Sequence, residues 1–125
     1  MKTLSPAAAV LVRLMGELPR GPRRDSAFAL WLTVRIAEDC YLVPPLPEKA
    51  VRRRVAALGD RISRLSLAAP LRRALTSAVS ELGEPSPEQA TLALRQLIAP
   101  TRDVLGKEAG DALATGLSRF LHGRP

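Results

Sequence analysis

Residues 48–65, EKAVRRRVAALGDRISRL, carry the clearest signal for the fold. Their large apolar residues recur at alternating intervals of four and three, which is the spacing of one face of an α-helix. These positions are Val51, Val55, Leu58, Ile62 and Leu65. The segment is therefore predicted to be a helix whose apolar seam packs against another helix, either within the chain or across an interface with a partner.

Two further helices are predicted on the N-terminal side of this segment. Ser5 is a favourable N-cap residue and Pro6 suits the first helical position, so a helix is expected to begin there. Asp25 or Ser26 is predicted to cap a second helix that reaches about Leu42. Because apolar side chains surround the axis of that second helix, we expect it to be central and buried.

Proline divides the remainder of the chain. Pro70 interrupts the helical pattern, and a new helix after a tight corner is favoured over one long kinked helix. Residues 86–89, SPEQ, form a capping box with proline at the first helical position, which predicts a fifth helix. Pro100 again kinks or restarts the helix before a last segment with apolar periodicity. Proline therefore sets where the later helices begin.

The composition favours an all-α fold. The chain has 125 residues, about the size of one domain, and its apolar class is rich in Leu and Ala, which favour helix over strand. We therefore predict one helical domain over residues 1–125, a compact bundle of five to six helices. No apolar run approaches the roughly 18 residues of a membrane span, and the first residues lack a convincing signal-peptide pattern.

Positive charge is concentrated in parts of the chain. The net charge of +7 divides into +4 over residues 1–24, −2 over 25–47, +6 over 48–73 and −1 over 74–125. Such a field attracts acidic proteins, nucleic acid or anionic lipid, although a merely solvated helix face is the alternative interpretation. The candidate anion-contacting residues are Arg52, Arg53, Arg54, Arg61, Arg64, Arg72 and Arg73.

The sequence offers little reactive chemistry. Cys40 is the only cysteine, which excludes an intrachain disulfide and fits a cytoplasmic location. With Cys40 and His122 as the only residues of their types, a structural zinc site cannot be assembled. No glycine-rich phosphate-binding loop follows a strand pattern. We therefore expect no catalytic residue, no metal and no cofactor.

The favoured function is that of a non-enzymatic helical interaction module. Its apolar faces are more abundant than a short bundle needs for its own core, so surplus apolar surface is available for association. We expect the chain to act as a homo-oligomer or as a small subunit of a larger macromolecular assembly. Its partner is then a second copy or another protein.

Two alternatives belong to other classes. One is a nucleic-acid-associated subunit or regulator that contacts phosphate backbones through the arginines of residues 52–73, without base stacking because aromatic residues make up only 3% of the chain. The other is a small lyase or isomerase with an apolar pocket around Trp31 and Tyr41, in which Arg35, Glu38 or Asp39 serves as acid or base. A pocket enclosing those groups would favour the enzyme, whereas strong salt dependence of binding would favour the nucleic-acid role.

Overall fold

The structure, a computed structural model, describes residues 5–41, 46–82 and 87–121. These residues are helical apart from short connections and contain no strand, so the all-α prediction is confirmed. None of the described helices combines the length and the hydropathy that crossing a bilayer requires. In chain order the helices are α1 (Pro6–Glu17), α2 (Pro22–Tyr41), α3 (Glu48–Ser63), α4 (Ala69–Leu82), α5 (Pro87–Arg95), α6 (Ile98–Leu105) and α7 (Lys107–Leu121).

Helix α2 lies at the centre of the bundle, as its sequence predicts. It contacts α1, α3, α4, α5 and α6, while α7 packs against α1, α5 and α6. Small residues on its inner side, Ala27, Ala29 and Ala37, are fully buried and let neighbouring helices approach closely. Buried side chains from all seven helices join in one hydrophobic cluster. The opposite side of α2 is only half-buried, which leaves it available at the surface.

The first two helix starts differ in how well the sequence predicts them. Ser5 is the N-cap of α1, and its Oγ accepts a hydrogen bond from the Ala8 N–H at 3.2 Å, as predicted. Helix α2 begins at Pro22, three residues before Asp25 and four before Ser26, so the prediction of an Asp25 or Ser26 cap is wrong. Proline fits the first helical position, and Gly21 before it has φ +151°, a conformation open to glycine.

Asp25 and Ser26 instead hold the corner between α3 and α4. The Ser66 N–H donates to Asp25 Oδ2 at 3.1 Å, and the Ala68 N–H donates to Ser26 Oγ at 3.1 Å. Ser26 is completely buried, so its hydroxyl satisfies a backbone donor that water does not reach easily. These two bonds fix the end of α3 and the start of α4 beside the first turn of α2.

Proline marks the starts of α4, α5 and α6, as predicted, whereas the start of α7 at Lys107 after Gly106 is not predicted. Helix α3 ends at Ser63, and Pro70 is the second residue of α4 after a tight corner. Pro100 lies in the first turn of α6, and two residues separate the start of α6 from the end of α5. The seven helical segments of the described residues form a compact all-α bundle, consistent with the predicted bundle of five to six helices. Ser86 of the capping box lies outside the described residues.

Candidate interaction surface

The apolar seam of α3 is buried within the chain itself. Val51, Val55, Leu58 and Ile62 are at most 6% exposed, and Leu65 is half-buried just beyond the helix. These side chains belong to the same hydrophobic cluster as those of the other helices. In this arrangement the seam therefore stabilises the bundle, and a partner helix cannot reach it.

Two of the seven candidate arginines form ion pairs along α3. The Arg52 guanidinium is 2.6 Å from Glu48 Oε1, and that of Arg64 is 3.1 Å from Asp60 Oδ2. Both pairs join residues four apart on the exposed surface, where such pairs contribute about 0–1 kcal/mol. Their main effect is to reduce the positive field at both arginines.

A third candidate arginine, Arg54, links α3 to α2. Its Nη1 lies 3.5 Å from Asp39 Oδ2 on α2, and the Asp39 side chain is only 22% exposed. This pair engages one of the carboxylates considered as a catalytic acid or base. The neighbouring Glu38 also has an interaction of its own, and the Tyr41 side chain lies outside the described residues.

Three candidate arginines have neither an ion pair nor a ring contact among the described residues. Arg53, Arg72 and Arg73 are exposed, and among the described residues no carboxylate lies within 4.0 Å of their guanidinium nitrogens. Arg72 and Arg73 stand in the first turns of α4, directly after the corner held by α2. These three are the arginines whose charge is freely presented to solvent.

The seventh candidate, Arg61, takes part in a stack of rings and guanidinium groups on the outer side of α2. The Phe28 and Trp31 rings are stacked with centroids 6.0 Å apart. The Arg61 guanidinium carbon lies 5.1 Å from the Phe28 centroid, and that of Arg35 lies 5.5 Å from the Trp31 centroid. We call these four residues the aromatic–arginine stack. Cation–π contact holds both cations in place at the surface.

A basic cleft adjoins the stack along the same side of α2. It is lined by Arg20, Gly21, Pro22, Arg24, Asp25 and Ser66. Arg24 precedes Phe28 by four residues and therefore lies on the same face of the helix. Among the described residues no carboxylate pairs with the guanidinium of Arg20 or Arg24. Arg24 thus extends the cationic surface of the stack toward the cleft, whose lining also includes the Asp25 carboxylate.

The arginine pattern of the sequence does not reveal this stack. It predicts Arg61 as a candidate, but the apolar pattern of α2 indicates that Phe28 and Trp31 are side chains of a buried helix. A local signal is present, because Phe28, Trp31 and Arg35 are spaced three and four apart and share one helical face. The contribution of Arg61 depends on how α3 packs against α2, which no local pattern encodes.

The comparisons with known proteins give no indication of what this face binds. No family model matches the chain, and no curated protein or solved structure is similar to it.

Cys40 sits apart from this surface, in the core. It is 1% exposed, and burial raises the pKa of its thiol above the ordinary value, partly offset by nearby Arg54. A buried neutral thiol is a poor nucleophile and packs as a small apolar side chain. Within residues 5–41, 46–82 and 87–121, no group of three His, Cys, Asp or Glu side chains is arranged to hold a metal ion. His122 lies outside these ranges.

Proposed function

We propose that this chain is a non-enzymatic helical interaction module that works as a small subunit of a larger macromolecular assembly. The observation that carries this proposal is the aromatic–arginine stack, in which Phe28 and Trp31 meet two guanidinium groups on an accessible helix face. We place the assembly in the cytoplasm, because the single Cys40 forms no intrachain disulfide.

The residue types in the stack are those that dominate binding interfaces. Trp and Arg are enriched among the residues whose truncation weakens protein complexes most. Stacking already restricts the Arg35 and Arg61 side chains, so less rotamer entropy remains to be lost on binding. Pre-organised side chains of this kind favour tight recognition over a merely solvated surface.

The bundle gives the stack a rigid support. Arg61 projects from the flank of α3, next to the seam whose side chains Leu58 and Ile62 are buried in the core. Phe28 and Trp31 project from α2, whose inner side is packed against its neighbours. The binding groups therefore stand on two helices that are held by their buried faces, and they lie on a surface instead of inside a substrate cavity.

The test is the assembly state of the tagged chain recovered from its native cells. After nuclease treatment, the wild-type chain should elute from a sizing column in a complex larger than itself. The double variant Arg35→Gln, Arg61→Gln should elute mainly as the free chain, because its stack has lost both cations. Arg52→Gln is the matched control, since Arg52 is paired with Glu48 away from the stack.

The proposal fails if the wild-type chain is a monomer at micromolar concentration and brings no partner with it. It also fails if the double variant stays in the complex as fully as the control does. A complex containing only copies of this chain would show a homo-oligomer instead of a subunit of a mixed assembly.

Nucleic-acid binding is a second candidate function. It is favoured by the free cations Arg53, Arg72 and Arg73, which have no acidic partner among the described residues. A phosphate backbone neutralised by such side chains releases counterions, so binding should weaken steeply with salt, by a log–log slope of about 0.9 per phosphate contact with duplex DNA.

Fluorescence anisotropy with labelled DNA and RNA of mixed sequence tests this candidate. Charge reversal by Arg53→Glu should weaken binding uniformly across sequences and reduce the salt slope by about 1. Arg52→Glu serves as control, because the wild-type Arg52 is already neutralised by Glu48. Absence of binding to every probe at low salt removes this candidate.

A further inference from the structure

Resting on the proposed function, we infer that the aromatic–arginine stack recognises carboxylates, and that its occupant is an acidic segment of a partner protein that also carries apolar side chains. The stack offers two cations and two half-buried rings in one patch. A segment that alternates Asp or Glu with Leu, Phe or Met complements both components at once.

Charge complementarity is the first argument for this occupant. Among the described residues, no carboxylate lies within 4.0 Å of the guanidinium nitrogens of Arg35 or Arg61. A guanidinium placed over a ring keeps its N–H groups in its own plane, where they can donate two parallel hydrogen bonds to a carboxylate. Arg24 and Arg20 extend the cationic surface, so the partner segment carries acidic residues over more than one helical turn.

The mixture of charge and apolar surface favours a protein over a nucleic acid at this patch. A phosphate backbone would use the cations but not the half-buried apolar surface of Phe28, Trp31 and the neighbouring Leu32. A nucleobase stacks on an exposed ring face, yet a guanidinium already lies over each ring. An apolar side chain can pack against the half-buried rings without displacing either arginine.

Selection from a library of random 16-residue peptides tests the inference for a partner of any sequence. The immobilised wild-type chain should enrich peptides that contain several Asp or Glu residues interleaved with apolar ones. Representative peptides should then bind the double variant Arg35→Gln, Arg61→Gln at least about tenfold more weakly. Loss of affinity on this scale is typical when central residues of an interface are truncated. The variant Arg72→Gln, Arg73→Gln removes the same charge elsewhere and should change affinity by less than about threefold.

Trp31 locates the binding event. It is the only tryptophan of the chain, so a shift of its emission on addition of a tryptophan-free peptide reports contact at the stack. Selected peptides with no acidic bias, or equal binding to wild type and to the Arg35, Arg61 double variant, would overturn the inference.

Parallel titrations with a 30-residue oligothymidylate separate this inference from the proposed function. If the oligonucleotide binds more tightly than every selected peptide and loses affinity in the same double variant, the face is an interface but its partner is not an acidic protein. If neither probe binds and the native complex is unaffected by the double variant, both the inference and the proposed function fail. Weaker oligonucleotide binding that ignores the stack supports the inference.

Discussion

The two sides of α3 show how differently apolar and charged patterns translate into structure. On one side, all the apolar side chains of the seam within the helix are buried in the core: Val51, Val55, Leu58 and Ile62. On the other side, arginines that look equivalent in sequence have different partners: Arg64 pairs with Asp60, Arg54 with Asp39, and Arg61 contacts Phe28. Periodicity determines burial, whereas the role of each arginine depends on what lies beside it in space.

This difference separates stability from binding within one helix. Burying an aliphatic side chain contributes about 1.5–3 kcal/mol, whereas an exposed ion pair contributes about 0–1 kcal/mol. The apolar side of α3 therefore holds the bundle together. The arginine side can be altered with little cost to folding, which leaves it available for recognition.

The largest effect should come from a cavity on the apolar side. Leu58→Ala removes a side chain that is 2% exposed and should lower the free energy of unfolding by about 2–5 kcal/mol. Arg53→Ala, on the other side of the same helix, should change it by less than about 0.5 kcal/mol. Urea denaturation followed by circular dichroism measures both. Equal destabilisation by the two variants would contradict the division of α3 into a packing side and a binding side.

The next effect should come from the corner that joins α2 to α3 and α4. Ser26→Ala leaves the Ala68 N–H without its acceptor in a buried setting and should cost about 1–3 kcal/mol. Ser63→Ala is the matched control, because the Ser63 hydroxyl donates to the Asp60 carbonyl at the exposed surface. Unfolding of both variants in urea compares them, and a Ser26 variant as stable as the Ser63 variant would show that the corner does not need this bond.

The corner also illustrates what sequence can and cannot predict. The Ser5 cap, the restarts near Pro70 and Pro100 and the burial of the α3 seam all follow from local chemistry and periodicity. Asp25 and Ser26 have the same cap chemistry as Ser5, yet their acceptors serve residues about 40 positions away. A cap acceptor can bond either to an N–H of its own helix or to one from a distant segment. The packing between distant helices determines which of the two donors it binds, and a local pattern does not contain that information.

The candidate surface is predictable only in part for the same reason. Arg61 is among the predicted residues, but so is Arg52, which is neutralised by Glu48 one turn before it. That pair follows from the spacing of four. The contact between Arg61 and Phe28 does not, because it requires the crossing of α3 over α2.

A smaller effect should measure the stack itself. A double-mutant cycle on Phe28→Leu and Arg61→Gln should give a coupling of about 0.5–1 kcal/mol in the free energy of unfolding, the value of a surface cation–π contact. Urea denaturation of the four proteins provides the cycle. A coupling of zero would show that Arg61 is not held over the ring and is as free as Arg53.

The smallest effect should appear in the pH dependence of an ion pair far from the stack. A hydrogen bond from Arg13 on α1 lowers the pKa of Glu108 on α7 below its ordinary value of 4.5. A pKa that is lower in the folded state stabilises the protein at pH values above the unfolded-state pKa. This stabilisation is lost as the pH falls through the folded-state pKa. The stability difference between wild type and Glu108→Gln should therefore be present at pH 7 and shrink below about pH 4.5. Urea titrations of both proteins at each pH measure this difference, and a difference that does not change with pH would contradict it.

The most direct test of a recognition centre on α2 is the environment of Trp31 in the assembled complex. The tagged chain can be labelled with 5-fluorotryptophan, which gives one ¹⁹F resonance because Trp31 is the only tryptophan. On assembly, this resonance should shift and become protected from a soluble paramagnetic agent. The same chemical shift and the same paramagnetic relaxation in the free chain and in the complex would contradict the account.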